Sequence, residues 1–167
     1  MDFFEVIASN FKTVSDFRNF DALFQTFLKS QWHTTVSGLF FLDQYIIAVI
    51  WWANGVKQGE TFYKDGMKHG PYTTWWKNGK MQSKGFYHYG QPKGLWTYWD
   101  IKGDKISEVT YKEGEMSGPA TYWYENGEKE SQGSYVNSLK DGIWHFWQTD
   151  GTLEKDVIFK RGFVVYK

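Results

Sequence analysis

One period governs most of this chain. From residue 46 to residue 165 the same residue types recur every 24 positions without a slip. Gly70, Gly94, Gly118 and Gly142 form one column, and Gly55, Gly79, Gly103, Gly127 and Gly151 another. Trp51, Trp75, Trp99, Trp123 and Trp147 form a third; Tyr63, Tyr87, Tyr111, Tyr135 and Phe159 a fourth. Gly66, Gly90, Gly114 and Gly162 share a column that Ser138 interrupts. Five units follow, 46–69, 70–93, 94–117, 118–141 and 142–165. A chain built this way is an array in which each copy buries a face against its neighbours.

Each unit reads as a β-hairpin. In the second unit an apolar stretch, 71–76, is followed by Lys77-Asn78-Gly79-Lys80 and a second stretch, 81–87. The turn column reads Asn54-Gly55, Asn78-Gly79, Lys102-Gly103, Asn126-Gly127 and Asp150-Gly151. Asn-Gly and Asp-Gly mark hairpin turns because both residues tolerate positive φ. Glycine-bracketed connections, such as 66–70 and 90–94, lead to the next unit. Hairpins in series give an antiparallel meander, and ten strands make a sheet roughly 45 Å long. Glycines this dense would each cost about 1 kcal/mol inside helices, which excludes a helical repeat. The fold expected is mainly β, an open sheet of five hairpin units.

The first 45 residues differ. They hold nine of the 14 Phe and one of the 17 Gly, so a boundary falls near residue 45. Phe3, Phe4, Ile7, Phe11 and Val14, then Phe20, Leu23, Phe24, Phe27 and Leu28, recur at three and four, the pattern of one helix face. Ser15 or Asn19 can cap the second run. Residues 1–45 are therefore expected to form an α-helical cap with lead-in strand, 39–42, followed by a strand over 45–52. A membrane-surface helix would carry a polar face rich in Lys and Arg; here that face is mostly acidic or neutral.

Composition removes several functions. Aromatics make up 21% of the chain, which no disordered, weakly hydrophobic segment shows. Basic and acidic residues number 19 each, so the excess cation that nucleic acid requires is missing. There is no Cys, hence no disulfide, thiol nucleophile or thiolate metal site. The start, Met1-Asp2-Phe3-Phe4-Glu5, lacks a basic leader, and the longest apolar run, 39–52, is short of a span. Together these give a soluble, cytoplasmic chain as the expectation. The four His offer no i, i+4 ligand pair, no Gly-rich loop precedes a helix, and Gly-x-Ser-x-Gly is absent. Glu108 and Glu130 read as surface carboxylates rather than a hydrolytic pair. No metal, cofactor or catalysis is expected.

Counting each unit from its glycine, position 6 is always Trp and position 18 always Tyr or Phe. Side chains alternate faces along a strand. An odd turn, Lys77-Asn78-Gly79, would gather positions 4, 6, 14, 16 and 18 onto one face. That face would be the structural core, with Trp51, Trp75, Trp99, Trp123, Trp147, Tyr63, Tyr87, Tyr111, Tyr135 and Phe159. The opposite face would carry the variable aromatics Trp52, Tyr72, Trp76, Trp96, Tyr98, Tyr122, Tyr124, Trp144 and Phe146 with charges such as Glu108 and Glu130. Large aromatics that differ from copy to copy, rimmed by charge, are what a partner-binding surface needs.

The pattern Tyr63-x-x-Gly66-x-x-x-Gly70-x-Tyr72-x-x-Trp75-x-x-x-Gly79, with copies over 87–103 and 111–127, resembles MORN repeats in the variant form of bacterial proteins. The resemblance covers about 120 residues; Ala120, where other units carry Tyr72, Trp96 or Trp144, and Ser138 depart from it. It implies a binding protein, since bacterial chains of this variant are often classed as YwqK-type antitoxins or immunity proteins. The partner implied is then a bacterial toxin, blocked by occlusion. Two alternatives stand beside it: a MORN-type scaffold docking other proteins or lipid headgroups, and a glycan- or choline-binding repeat module, whose repeats are nearer 20 residues and secreted.

Overall fold

The computed structural model describes residues 37–42 and 45–165. The helical part of the expected cap, over residues 1–36, lies outside the described residues. Twelve strands follow one another: β1 Ser37–Leu42, β2 Tyr45–Trp51, β3 Lys57–Lys64, β4 Met67–Trp75, β5 Met81–His88, β6 Gln91–Trp99, β7 Lys105–Lys112, β8 Glu115–Trp123, β9 Lys129–Val136, β10 Leu139–Trp147, β11 Leu153–Lys160 and β12 Phe163–Val164. They form one sheet in strict sequence order, and every pairing is antiparallel, from β1 on β2 to β11 on β12. The meander of repeated hairpins is therefore as the period predicts, with two strands more than the units supply: β1 ahead of them and the two-residue β12 at the far edge.

Two kinds of turn alternate. Within a unit, the Trp76 amide donates to the Lys80 carbonyl at 2.8 Å and the Gly79 amide to the Trp76 carbonyl at 2.9 Å, leaving Lys77-Asn78-Gly79 as the loop. Gly79 takes φ 85°, the left-handed value that closes such a loop. Between units the connection is tighter than the glycine bracket implied. Only two residues turn, both at positive φ: Asp65-Gly66, Tyr89-Gly90, Glu113-Gly114, Asn137-Ser138 and Arg161-Gly162. That is the geometry whose twist matches the flanking strands. Met67 to Gly70, expected in the connection, belong to β4. Ser138 holds φ 63° where the other units have glycine, and its Oγ accepts the Met116 amide at 3.2 Å.

The odd loop is present, yet the face assignment drawn from it is not. Trp75 pairs with Met81, but Thr74 pairs with Ser83, so one residue of β5 is left over in a bulge. The same shift recurs after Ile50, Tyr98, Tyr122 and Phe146. One extra residue reverses the parity of everything beyond it. Tyr72 consequently faces Gly85, Trp96 faces Val109 and Trp144 faces Val157. Positions 3 and 5 thus share a face with 14, 16 and 18, while positions 2, 4 and 6 share the other with 15 and 17. The expected core column of Trp51, Trp75, Trp99, Trp123 and Trp147 is parted from Tyr63, Tyr87, Tyr111, Tyr135 and Phe159.

The face carrying position 3 is the packed one. Trp144 is fully buried, Trp96 is 4% exposed, and Ala48, Tyr63, Val109, Ala120 and Tyr135 complete the buried hydrophobic set there. Size is traded across each boundary between units. A Cβ on Gly85 would lie 2.2 Å from the Trp96 ring, and one on Gly133 2.3 Å from the Trp144 ring. Where position 16 is instead Val109, position 3 of the next unit is Ala120. Ala120 is therefore the complement of Val109 rather than a defect in the fourth unit.

A candidate protein-docking face

The residues expected to bind a partner fall into three groups. Trp96 and Trp144 are core. Tyr72 and Tyr87 pack at 5.4 and 5.0 Å from Trp96, and Tyr98 stacks on it at 6.2 Å. Tyr122 stacks on Trp144 at 6.3 Å, and Tyr135, Phe146 and Phe159 surround it at 5.1, 6.3 and 6.3 Å. Lys140 lies 4.1 Å from the Trp144 ring centroid. Burial pushes that ammonium below its usual pKa, opposed by the Glu130 charge. Burial also pushes the Tyr98 and Tyr122 phenols up, each helped by a hydrogen bond, with Tyr111 and Tyr135 respectively. These tyrosines stay neutral and act as packing groups. The exposed aromatic platform expected on this face is thus a self-packed layer.

The second group, at position 7, ties units together. Trp52 Nε1 donates to the Trp75 carbonyl at 3.0 Å, Trp76 Nε1 to the Trp99 carbonyl at 3.1 Å, and Tyr124 Oη to the Trp147 carbonyl at 2.8 Å. The asparagines of the turns do the same one step further out. Asn54, Asn78 and Asn126 donate Nδ2 to the carbonyls of Lys77, Ile101 and Thr149, while each Oδ1 accepts an amide of its own turn. At the third turn Lys102 stands in place of Asn and bonds Glu125 at 3.0 Å. The third group is the carboxylates: Glu130 is exposed, and Glu108 lies on the opposite face bonded to Lys105 at 2.6 Å.

That opposite face is open, and it runs in rows across the strands. The tryptophan column forms one row, half-buried, with Lys57, Lys105 and Lys129 lying 5.2, 5.2 and 5.4 Å from the rings of Trp75, Trp123 and Trp147. Such contacts hold the lysine stems flat against the rings. A threonine and charge row follows: Thr73 faces Lys84, Thr97 faces Glu108, and His145 bonds Asp156 at 2.7 Å. The third row is apolar. Ile47 opposes Phe62, Pro71 opposes Phe86, Leu95 opposes Thr110, Pro119 opposes Ser134, and Ile143 opposes Ile158. Phe86, Leu95 and Ile143 stay 39%, 56% and 54% exposed. None of these residues is named among the expected site residues: position 17 is expected on the partner-binding face with positions 3, 5, 7, 13 and 15, and position 2, neither constant nor rich in aromatics, is assigned to neither face. At the row's end His69 packs between His88, tilted at 5.0 Å, and Tyr89, edge-on at 4.5 Å. Burial, then the His88 charge, hold its pKa below the ordinary value.

Among the described residues no three His, Asp or Glu stand close enough to hold a metal ion, and no helix is long and apolar enough to cross a membrane. No curated protein matches the chain. The solved structures that resemble it include, at 12% identity, a point mutant of Staphylococcus aureus TarM in complex with fondaparinux, alpha-GlcNAc-glycerol and UDP, at TM-score 0.39, and TarM at 0.36. Each covers 83% of this chain, which spans only about a quarter of theirs, 26% and 27%. The family model described as "MORN repeat variant" matches residues 68–89 and 116–137. Both segments run from the last residues of one unit through the hairpin of the next, in phase with the 24-residue period, so over these two segments the chain matches the MORN repeat variant, and its other units share their spacing.

Proposed function

We propose that the chain is a protein-binding repeat scaffold whose docking surface is the open face, and that it works by covering its partner. One observation carries this: the two faces are unequal. The first is consumed by its own aromatic packing, while the second keeps Phe86, Leu95 and Ile143 in water beside charges that change from unit to unit. Exposed apolar anchors within a non-repeating charge pattern give affinity and specificity together. The finer reading, an antitoxin or immunity protein acting on a bacterial toxin, rests on the resemblance stated above. It is supported by a rigid surface roughly 45 Å long that can cover a partner's working site without chemistry of its own.

The test is a co-expression assay. Proteins retained by the immobilised chain from its own organism are each expressed alone and with the chain. A partner that arrests growth alone, is relieved by the wild-type chain, and is not relieved by the Leu95→Asp form supports the reading. A captured partner relieved equally by both forms places the blocking surface elsewhere. If no captured protein is toxic, the antitoxin reading fails and the scaffold reading alone stands.

A further inference from the structure

The open face is complementary to itself. Its charges are not spread evenly. On β3 to β6 it carries Lys57, Lys64, Lys84 and Lys93 against Glu60; on β8 to β11 it carries Glu115, Asp141 and Asp156 against Lys129 and Lys160. The repeat makes this division geometrically regular. Lys84 on β5 and Asp156 on β11 both occupy position 15 of their units, and Lys93 on β6 and Asp141 on β10 both occupy position 24. The apolar residues of this face follow the same rule: Phe86, exposed, and Ile158, half-buried, are both position 17, and the exposed Leu95 and Ile143 are both position 2. In each of these pairs the two strands lie equally far from β8, three away for β5 and β11 and two away for β6 and β10.

We infer that the open face is the interface of a homodimer, in which a second copy lies against it about a two-fold axis running along β8. Equivalent positions on strands equidistant from the axis are brought face to face. Lys84 of each copy then meets Asp156 of the other, and Lys93 meets Asp141. Leu95 meets Ile143, Phe86 meets Ile158, and Pro119, on the axis strand, meets itself. An isologous contact requires this reciprocity, residue i on j and j on i. Two like-charge encounters arise: Glu115 with its own copy, where Lys112 stands opposite Glu115 in the same sheet, and Lys105 with Lys129, both at position 12, where Glu108 lies 2.6 Å from Lys105. The overlap of β4 to β12 over positions 24 to 6 is on the order of 800 Å² per copy, the area a stable complex needs. Twisted sheets meet this way, with strands aligned to within about 30°.

This inference does not depend on the toxin reading, and it bears on it: any foreign partner of the open face must displace the second copy. Sedimentation velocity on the full chain measures it directly. The wild type at about 50 µM should sediment at twice 19.7 kDa and dissociate as salt is raised. Reversing one half (Lys84→Glu with Lys93→Glu) or the other (Asp141→Lys with Asp156→Lys) should weaken self-association at least tenfold in each case. Mixing the two reversed forms should restore a heterodimer, since each then offers the charge that the other lacks. Leu95→Asp, at a site more than half exposed, gives a second monomeric form free of any turn contact. Circular dichroism melting shows whether each variant remains folded. A wild type that sediments as a monomer leaves the open face to a foreign protein and overturns the inference. So does a mixture of folded reversed forms that fails to pair.

Discussion

Two tryptophans at the same repeat position are held differently. Trp144 Nε1 donates to the Ser134 carbonyl at 3.0 Å. Trp96 Nε1 is buried with no partner among the described residues. Each indole is flanked by a glycine that leaves it room, so the packing lost on changing Trp to Phe is similar at both sites. The difference lies in the N–H. Trp144→Phe gives up a hydrogen bond and strands a carbonyl, whereas Trp96→Phe removes an unsatisfied donor. Trp144→Phe should therefore cost about 1–2 kcal/mol more than Trp96→Phe in urea-unfolding experiments. Equal losses would mean that the Trp96 N–H is bonded in solution. The sequence showed the aromatic abundance of position 3 but not its role. A column that runs Tyr72, Trp96, Ala120, Trp144 reads as variable until its partners at position 16 are placed beside it.

At the level of strands and turns the period foretold more than the faces did. Hairpins, their order and their Asn-Gly loops follow from spacing and from which residues tolerate positive φ. What did not follow was parity. The bulge after each loop leaves no compositional mark, since the leftover residues, such as Gln82, resemble ordinary strand residues. It moved the constant tryptophans away from the core, and the site expected on one face had to be sought on the other. The inter-unit turns were legible only as glycine, and Ser138 tests what that glycine is for. A non-glycine residue at φ 63° carries strain of about 1 kcal/mol. Ser138→Gly should raise stability by about 0.5–1 kcal/mol, the Oγ contact to the exposed Met116 amide being easily replaced by water. A calorimetric melting temperature that falls instead would show that the hydroxyl contact outweighs the strain.

Across the whole molecule stability is shared between neighbours. Each strand of β2 to β10 is paired on both sides, whereas β11 is paired on its outer side only at its end, by the two-residue β12. In such an array local opening begins at the margins. Amide exchange should be slowest in β6 to β9 and fastest in β11 and β12, with a gradient between. Uniform protection up to β11 in the free chain would mean that its edge is covered in solution. The ladder of side-chain bonds from each turn to the next has a consequence for how such a protein changes in size. Trp52, Trp76 and Tyr124 all reach a carbonyl 23 residues ahead, as do Asn54, Asn78 and Asn126. The loss or gain of a single residue anywhere between two rungs breaks that count, while the loss or gain of 24 keeps every rung. Length in this molecule therefore comes in quanta. A duplicated unit extends the sheet by two strand spacings, about 10 Å, and inherits both of its neighbours ready-made. Partners of different sizes can thus be matched by adding or removing whole units, with no turn or bond that the chain does not already contain.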